Sequence, residues 1–368
     1  MSSRGTLRSG VHSNVIATAG RDASPPMITA VYRSTILAAA AVACVISGCH
    51  GSPVRNESVP RWAETRRLMG VSWTITVCCA DEAAAGTAIA AAFAEVERLE
   101  RVLSDYDPES ELSRLSVQAP MPAAVPVSAD LWNVLARSAE IRDATAGAFD
   151  ISVGPLTTLW RRARQAERLP APDRLAAALG AVGPGAVELD HDRRAVRLPL
   201  AGTRLDPGGI GMGYAADRAL EVVARHGITA AMIDASGDIV VSGPPPGTAG
   251  WRIVIDPLAK GTVARPLLLA HVAVTTSGDA EQAVEIAGRR YSHIVDPRTG
   301  LGVAGPAAVT VIAWDGATAD ALATAASVLG PEAGSAAVAR LPGAAALFTW
   351  QDGQGRRHEV ASTGWPGL

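Results

Sequence analysis

The sequence has no surplus of positive charge. Its 368 residues carry 33 Lys and Arg against 36 Asp and Glu, for a formal net charge of -3. No cluster of Lys or Arg is interleaved with aromatics, so the electrostatic footprint that a phosphate backbone requires is missing and nucleic acid is excluded as a partner. Cysteine is also scarce: there are four, of which Cys78 and Cys79 are neighbours. Adjacent strand residues point to opposite faces, so a disulfide between these two is strained, and no second Cys or His cluster joins them as a metal site. No repeat of fixed period occurs. The apolar run Ile36 to Ile46 is too short to cross a bilayer, because eleven residues rise only about 16 Å as a helix where ~20 residues are needed.

That short run has another use. Met27 to Cys49 reads MITAVYRSTILAAAAVACVISGC, in which Arg33 precedes the apolar core and small residues follow it, the order of a secretory signal. The ending Ile46-Ser47-Gly48-Cys49 resembles the lipobox of bacterial lipoproteins, which makes Cys49 the expected lipidation site and the protein exported and lipid-anchored, on the periplasmic or extracytoplasmic face. Residues 1–26 have no role in export, so Met27 is the expected start. The sequence therefore divides into an upstream segment plus signal peptide (1–49), a polar linker with two prolines (50–60), a folded domain (61–360) and a short tail (361–368). With 48% hydrophobic residues the domain can bury a large core.

Along the domain, Arg67 to Cys79 alternates as a strand, and Asp81 caps an alanine-rich helix in which Ile89, Phe93, Val96, Leu99 and Leu103 recur at helical spacing. Ser128 to Ala146 repeats the pattern and stops at Gly147. Strands are expected at 186–189 and 195–198 around an Asp-His-Asp turn, then at 228–233, 239–242, 251–255 and 267–275. Ala307 to Trp314 reads as a strand, Ala317 to Leu329 and Glu332 to Leu341 as helices, and Ala344 to Trp350 as a closing strand. Strands and helices neither alternate strictly nor segregate, which predicts an α+β fold.

Three stretches carry candidate chemistry. DPGGIGMGYAAD, Asp206 to Asp217, is a glycine-rich loop running into a helix whose free N–H groups suit an anion such as a phosphate. It lacks the strand-turn-helix order of a dinucleotide-binding fingerprint, and a tight turn packing a helix on a sheet accounts for it equally. SHIVDPRTG, Ser292 to Gly300, sets a His, an Asp and an Arg on one turn, either solvated or used. Asp320 and Thr324 lie four apart on a helix and share a face, as a cap and a surface hydroxyl or as oxygen ligands for Mg²⁺.

Taken in order, these stretches resemble the FAD:protein FMN transferases, the ApbE family. The matching segments are Met69-Gly70, LSDYDPESELSRL (103–115), GAFDISVGPLTTLW (147–160), DPGGIGMGYAAD, IDASGD (233–238), TTSGD (275–279), YSHIVDPRTG (291–300) and ADALATAASVLG (319–330). They span nearly everything after residue 60. The resemblance implies a two-lobed sheet-and-helix domain with an FAD cleft between its lobes. It implies Mg²⁺-dependent transfer of the FMN half of FAD onto a Thr or Ser hydroxyl of an acceptor redox protein, with release of AMP. The family's metal ligands fall on Asp320, Thr324 and the main-chain carbonyl of Gly209. Its nucleotide contacts fall on Met69, Tyr106, Ala148, Phe149, Asp150, Asp206, His293 and Val295.

The residue types suit that chemistry. Tyr106 and Phe149 offer ring faces, Asp150 and Asp206 accept hydrogen bonds, and His293, with an ordinary pKa near ~6.5, is the candidate to take a proton from the acceptor hydroxyl or else holds the turn by a structural hydrogen bond. One position departs from the family: Met212 stands where many members carry a Lys, so either another group, Arg298, supplies positive charge toward the nucleotide or affinity for FAD is lower. A second motif, Asp315-Gly316-Ala317-Thr318, resembles the acceptor segments these enzymes modify, with self-modification at Thr318 as one reading and a helix cap as the other. Two further functions stay open, an FAD-binding lipoprotein without chemistry and an FAD hydrolase giving FMN and AMP.

Overall fold

The computed structural model describes residues 16–17, 59–255, 265–278, 283–304, 308–352 and 354–366. The signal segment, Cys49 and all but the last two residues of the linker lie outside them. An eight-stranded sheet forms the frame. From one edge to the other its strands are Arg357–Ala361, Ala345–Gln351, Ala308–Ala313, Val272–Gly278, Asp238–Val241, Ala231–Ala235, Val71–Cys78 and Arg61–Leu68, and every neighbouring pair is antiparallel. Alternation along the strands sends side chains to two cores. Trp73, Ile75, Val77, Ile233, Val311 and Phe348 face the helices. Cys78, Met232, Ile239, Val274 and Ile312 face the other way, under a hairpin of Trp251–Ile255 and Arg265–Leu269. Each fully buried side chain of this size contributes about 1.5–3 kcal/mol. A two-residue strand, Ile16–Ala17, lies against Ile253 and Val254.

Among the described residues there are seven helices, four of which start on a capping side chain. The first, α1 (Glu82–Leu103), begins where the Asp81 carboxylate accepts the N–H groups of Ala83 and Ala84, and buries Ile89, Phe93, Val96, Leu99 and Leu103. Next come α2 (Glu111–Ser116), capped by Ser110, and α3 (Ala129–Ala144), capped by Ser128. The pair α4 (Gly154–Gln165) and α5 (Pro172–Leu179) each start on a proline. Last are α6 (Gly211–Arg225) and α7 (Gly316–Val338), the latter broken at Gly330, where φ is 76° just before Pro331. The two helices expected on either side of that break are thus both present, separated by the non-helical Gly330. Among the described residues no helix is long and apolar enough to cross a membrane.

A smaller body has its own core. Leu156, Trp160 and Ala163 of α4 pack with Ile286, Tyr291 and Val295, whose chain forms a short hairpin of Val284–Ile286 and Arg289–Tyr291 followed by the 292–304 loop. The fold is thus the expected α+β arrangement with differences in detail. The strand expected over 67–79 is half of a hairpin turning at Met69 and Gly70, both at positive φ (48° and 79°). The run 267–275 is cut in two at His271, also at positive φ, and its halves join different sheets. Ala345–Gln351 does not close the sheet, because Arg357–Ala361 pairs beyond it and Trp365 packs under the second core.

Candidate active site

Three of the candidate segments are held by one helix. On α4, Thr157 donates its hydroxyl to Asp206 Oδ2 at 2.6 Å, and Arg161 Nη2 donates to the same oxygen at 3.2 Å. One position before Arg161, the Trp160 indole N–H donates to the Ser292 carbonyl at 2.9 Å and so pins the strand-like piece that carries His293. Arg161 also reaches Asp105 Oδ2 at 3.1 Å and lies over the Tyr106 ring. The spacing 157, 160, 161 puts all three side chains on one helical face. In the sequence this helix is signalled only by Gly154-Pro155 followed by Leu156, Trp160 and Ala163 at helical spacing.

The glycine loop meets the late helix. Asp206 folds back so that its Oδ1 accepts Gly208 N–H at 2.9 Å, which turns the chain toward α7. A Cβ placed on Gly209 would lie 2.7 Å from Thr324 Oγ1, so this main chain touches that hydroxyl without room for a side chain. One turn on, the first turns of α6 and α7 touch backbone to backbone, since a Cβ on Gly213 would lie 2.0 Å from the Gly316 carbonyl oxygen. Gly213 N–H donates to Asp320 Oδ2 at 3.3 Å, and Asp217 accepts the N–H groups of Gly316 and Ala317 at the start of α7. Gly209, Asp320 and Thr324 are therefore brought together across more than a hundred residues of sequence.

Asp320 is 4% exposed, with like charge nearby. Its carboxyl is pushed well above the ordinary range, first by burial, then by the charges of Asp238 and Asp217. Asp238, equally buried, is pushed up to about 7 by burial, against the lowering effect of the Thr275 hydroxyl. Both folded-state values lie above the unfolded one, so between about pH 4 and pH 7 the folded chain holds protons that the unfolded chain has released, and stability falls as pH rises through that window. Denaturant melts of the metal-free protein are expected to give an unfolding free energy about 2 kcal/mol or more higher at pH 5 than at pH 7.5. Equal values would show that these carboxylates are not desolvated.

The same features fit a hard cation. Among the described residues no three His, Cys, Asp or Glu side chains gather as a metal cluster. An ion here would instead take one buried carboxylate, one hydroxyl and main-chain oxygen, a donor set of oxygens alone that suits Mg²⁺ over softer metals. A cation would also offset the repulsion among Asp320, Asp238 and Asp217.

The remaining candidates sit on other elements. Met69 sits at the hairpin tip, its N–H bound to Glu100 Oε1 of α1. Ala148 and Phe149 are buried in the main core, Phe149 at 4% exposure, so its ring is packed among core side chains. The Asp150 carboxylate accepts both the N–H and the hydroxyl of Ser152. A cavity of about 630 Å³ opens beside it, lined by Arg142, Gly147, Asp150, Val182, Pro297 and Arg298, which brings the 147–150 segment and the turn after His293 to one space of nucleotide size. Val295 is buried in the smaller core, and Met212 packs half-buried against the main one. Arg298 lines this same cavity with its guanidinium held by Asp296 through two bonds of 2.8 and 3.0 Å. Thr318 is also closed off: its hydroxyl donates to Asp315, its N–H is capped by the same carboxylate, and the residue is 4% exposed.

A profile of the ApbE family matches residues 69–348. The chain belongs to the ApbE family. Among its curated relatives, the FAD:protein FMN transferase of Treponema pallidum (strain Nichols) is 31% identical over 334 residues, 84% of this chain and 89% of that protein. The protein of the same name from Klebsiella pneumoniae (strain 342) is 30% identical, covering 88% of this chain and 93% of its own. Of solved structures, the apo form of the flavinyl transferase ApbE of Pseudomonas stutzeri superposes with a TM-score of 0.74 at 30% identity, covering 83% of this chain and 95% of that one. The flavin transferase ApbE of Vibrio cholerae follows at 0.73 and 27%. This ApbE-family chain is accordingly an enzyme of the transferase class.

Proposed function

We propose that this ApbE-family enzyme transfers the FMN half of FAD, in a Mg²⁺-dependent reaction, to a Thr or Ser hydroxyl of an acceptor redox protein. In the proposed step the hydroxyl oxygen bonds to the phosphorus of the FMN half, the bond from that phosphorus to the bridging oxygen breaks, and AMP leaves. Asp320, Thr324 and the Gly209 carbonyl are the groups that would hold Mg²⁺. That ion, when bound, neutralises charge on the pyrophosphate oxygens. The other work falls to the chain's own side chains. Tyr106 gives a flat ring of the substrate a face to lie on, Asp206 and Asp150 accept hydrogen bonds from sugar or base, and His293 takes the proton of the attacking hydroxyl. Holding these groups on a fixed frame supplies orientation, which is most of what phosphoryl transfer asks of a protein.

The observation that supports this reading is the contact between Gly209 and Thr324, four residues beyond a buried carboxylate that no described cation neutralises. Export and lipid attachment at Cys49 belong to the same proposal and would set the enzyme beside membrane-bound acceptors. The test is incubation of the purified protein with FAD, Mg²⁺ and a candidate acceptor. Mass spectrometry should find the acceptor heavier by one FMN, with equimolar AMP, and EDTA should stop the reaction. FAD retained with no modified acceptor would leave the storage reading in its place, and FMN plus AMP formed without acceptor would mark a hydrolase.

A further inference from the structure

Arg161 lies at the centre of a small charged assembly that the sequence motifs do not include. Its Nη1 donates to Asp105 Oδ2 at 3.1 Å and its Nη2 to Asp206 Oδ2 at 3.2 Å, and its Cζ lies 4.7 Å from the centroid of the Tyr106 ring. Both carboxylate side chains are nearly buried, at 9% and 6% exposure, while Arg161 stays 38% exposed. Tyr106 is the opposite case. It is 76% exposed, so its ring has one face over the guanidinium and most of its remaining surface open to solvent. The Asp105 carbonyl also accepts Arg204 Nη2 at 2.5 Å, which fastens the 104–107 loop from a second side.

A planar guanidinium suits this place better than any other cation. Its fork reaches two carboxylates at once and still stacks flat on an aromatic ring, which an ammonium cannot do. Without it, Asp105 and Asp206 would face each other as buried like charges. The hydrophobic packing of α4 is made by Leu156, Trp160 and Ala163, not by Arg161. Its bonds join the 104–107 loop to the 206–209 loop, and the latter is the one that meets Thr324.

We propose that Arg161 is a positioning residue for the dinucleotide: it backs the Tyr106 ring as a preset stacking face for a flat heteroaromatic ring and holds the Asp206 carboxylate in place. The inference rests on the FAD reading of the cleft given above. Arg161 thereby governs substrate affinity more than the chemical step.

The test compares Arg161→Gln, Arg161→Lys, Tyr106→Leu and the Arg161→Gln/Tyr106→Leu double variant, with FAD affinity read from flavin fluorescence and KM and kcat from acceptor modification. Arg161→Gln and Tyr106→Leu should each raise Kd and KM about five- to tenfold, the scale of a lost charge-assisted or stacking contact, with kcat within about twofold. Because they act through one another, the double variant should be no worse than the weaker-binding single. Arg161→Lys should fall between wild type and Arg161→Gln. Wild-type affinity in Tyr106→Leu or Arg161→Gln, or multiplied losses in the double variant, would overturn the assignment. Should Arg161→Gln lose its cooperative melt, the Lys and Tyr106 variants decide alone: an affinity unchanged in either rejects the proposal. Failure of wild-type protein to bind FAD at all is a different result, and it strikes the proposed function.

Discussion

Asp320→Asn is expected to lower the transfer rate by about 10³-fold or more, the scale of losing a group that stabilises developing charge, while the metal-free protein folds as before. Two measurements are needed because a buried aspartate can matter for structure or for chemistry. Asp320 accepts one long hydrogen bond, 3.3 Å from Gly213 N–H, and has Asp238 and Asp217 as like-charged neighbours. An amide of the same shape keeps an acceptor for that bond and removes the repulsion. The melting temperature without metal should therefore stay level or rise, and added Mg²⁺ should raise that of the wild type but not that of the variant. A variant that unfolds would mean that the carboxylate serves the fold. One that transfers FMN at the wild-type rate would remove Asp320 from the site.

Gly213→Ala should cost about 3 kcal/mol or more of unfolding free energy, by the mechanism of overpacking. The added methyl would sit 2.0 Å from the Gly316 carbonyl oxygen and 2.3 Å from its carbon, both main-chain atoms that cannot swing aside. Relief requires α6 and α7 to part, which would also separate Gly209 from Thr324, so transfer activity should fall with stability. Gly86 is the control. It lies on the exposed side of α1 with nothing within 4 Å of an added Cβ, and alanine there should be neutral or stabilise by about 0.5–1 kcal/mol. Urea melts of the two variants separate a contact effect from a general response to alanine, and a Gly213→Ala midpoint equal to that of wild type would refute the close approach.

How much of this could be read beforehand depends on whether the signal was local. Asp81 and Ser128 announced their helices because a cap acts within three residues, and Gly330-Pro331 announced the break in α7 for the same reason. The pairing of the glycine loop with Asp320 and Thr324 was legible through the ordered family motifs, not through any property of either stretch. The turn at Met69-Gly70 escaped because methionine at φ 48° carries no turn signal of the kind Asn-Gly would. The role of α4 escaped for a deeper reason. Thr157, Trp160 and Arg161 look like an ordinary polar and aromatic helix face, and only the folded chain sets them against Asp206, Ser292 and Asp105, whose separations in sequence run from 45 to 132 residues.

The strand order has a practical corollary. Arg61–Leu68, the first strand after the linker, and Arg357–Ala361, the last, occupy the two opposite rims of the eight-stranded sheet. At about 4.8 Å per strand step those two strands lie roughly 34 Å apart, yet the segments beyond them return toward each other, because Val59 and Trp365 both pack against the second core. A leash on the amino-terminal side and a handle fused at the carboxyl terminus thus leave from the face of the sheet turned away from the helices, and whatever covers that face meets both while the helix-bearing side stays clear.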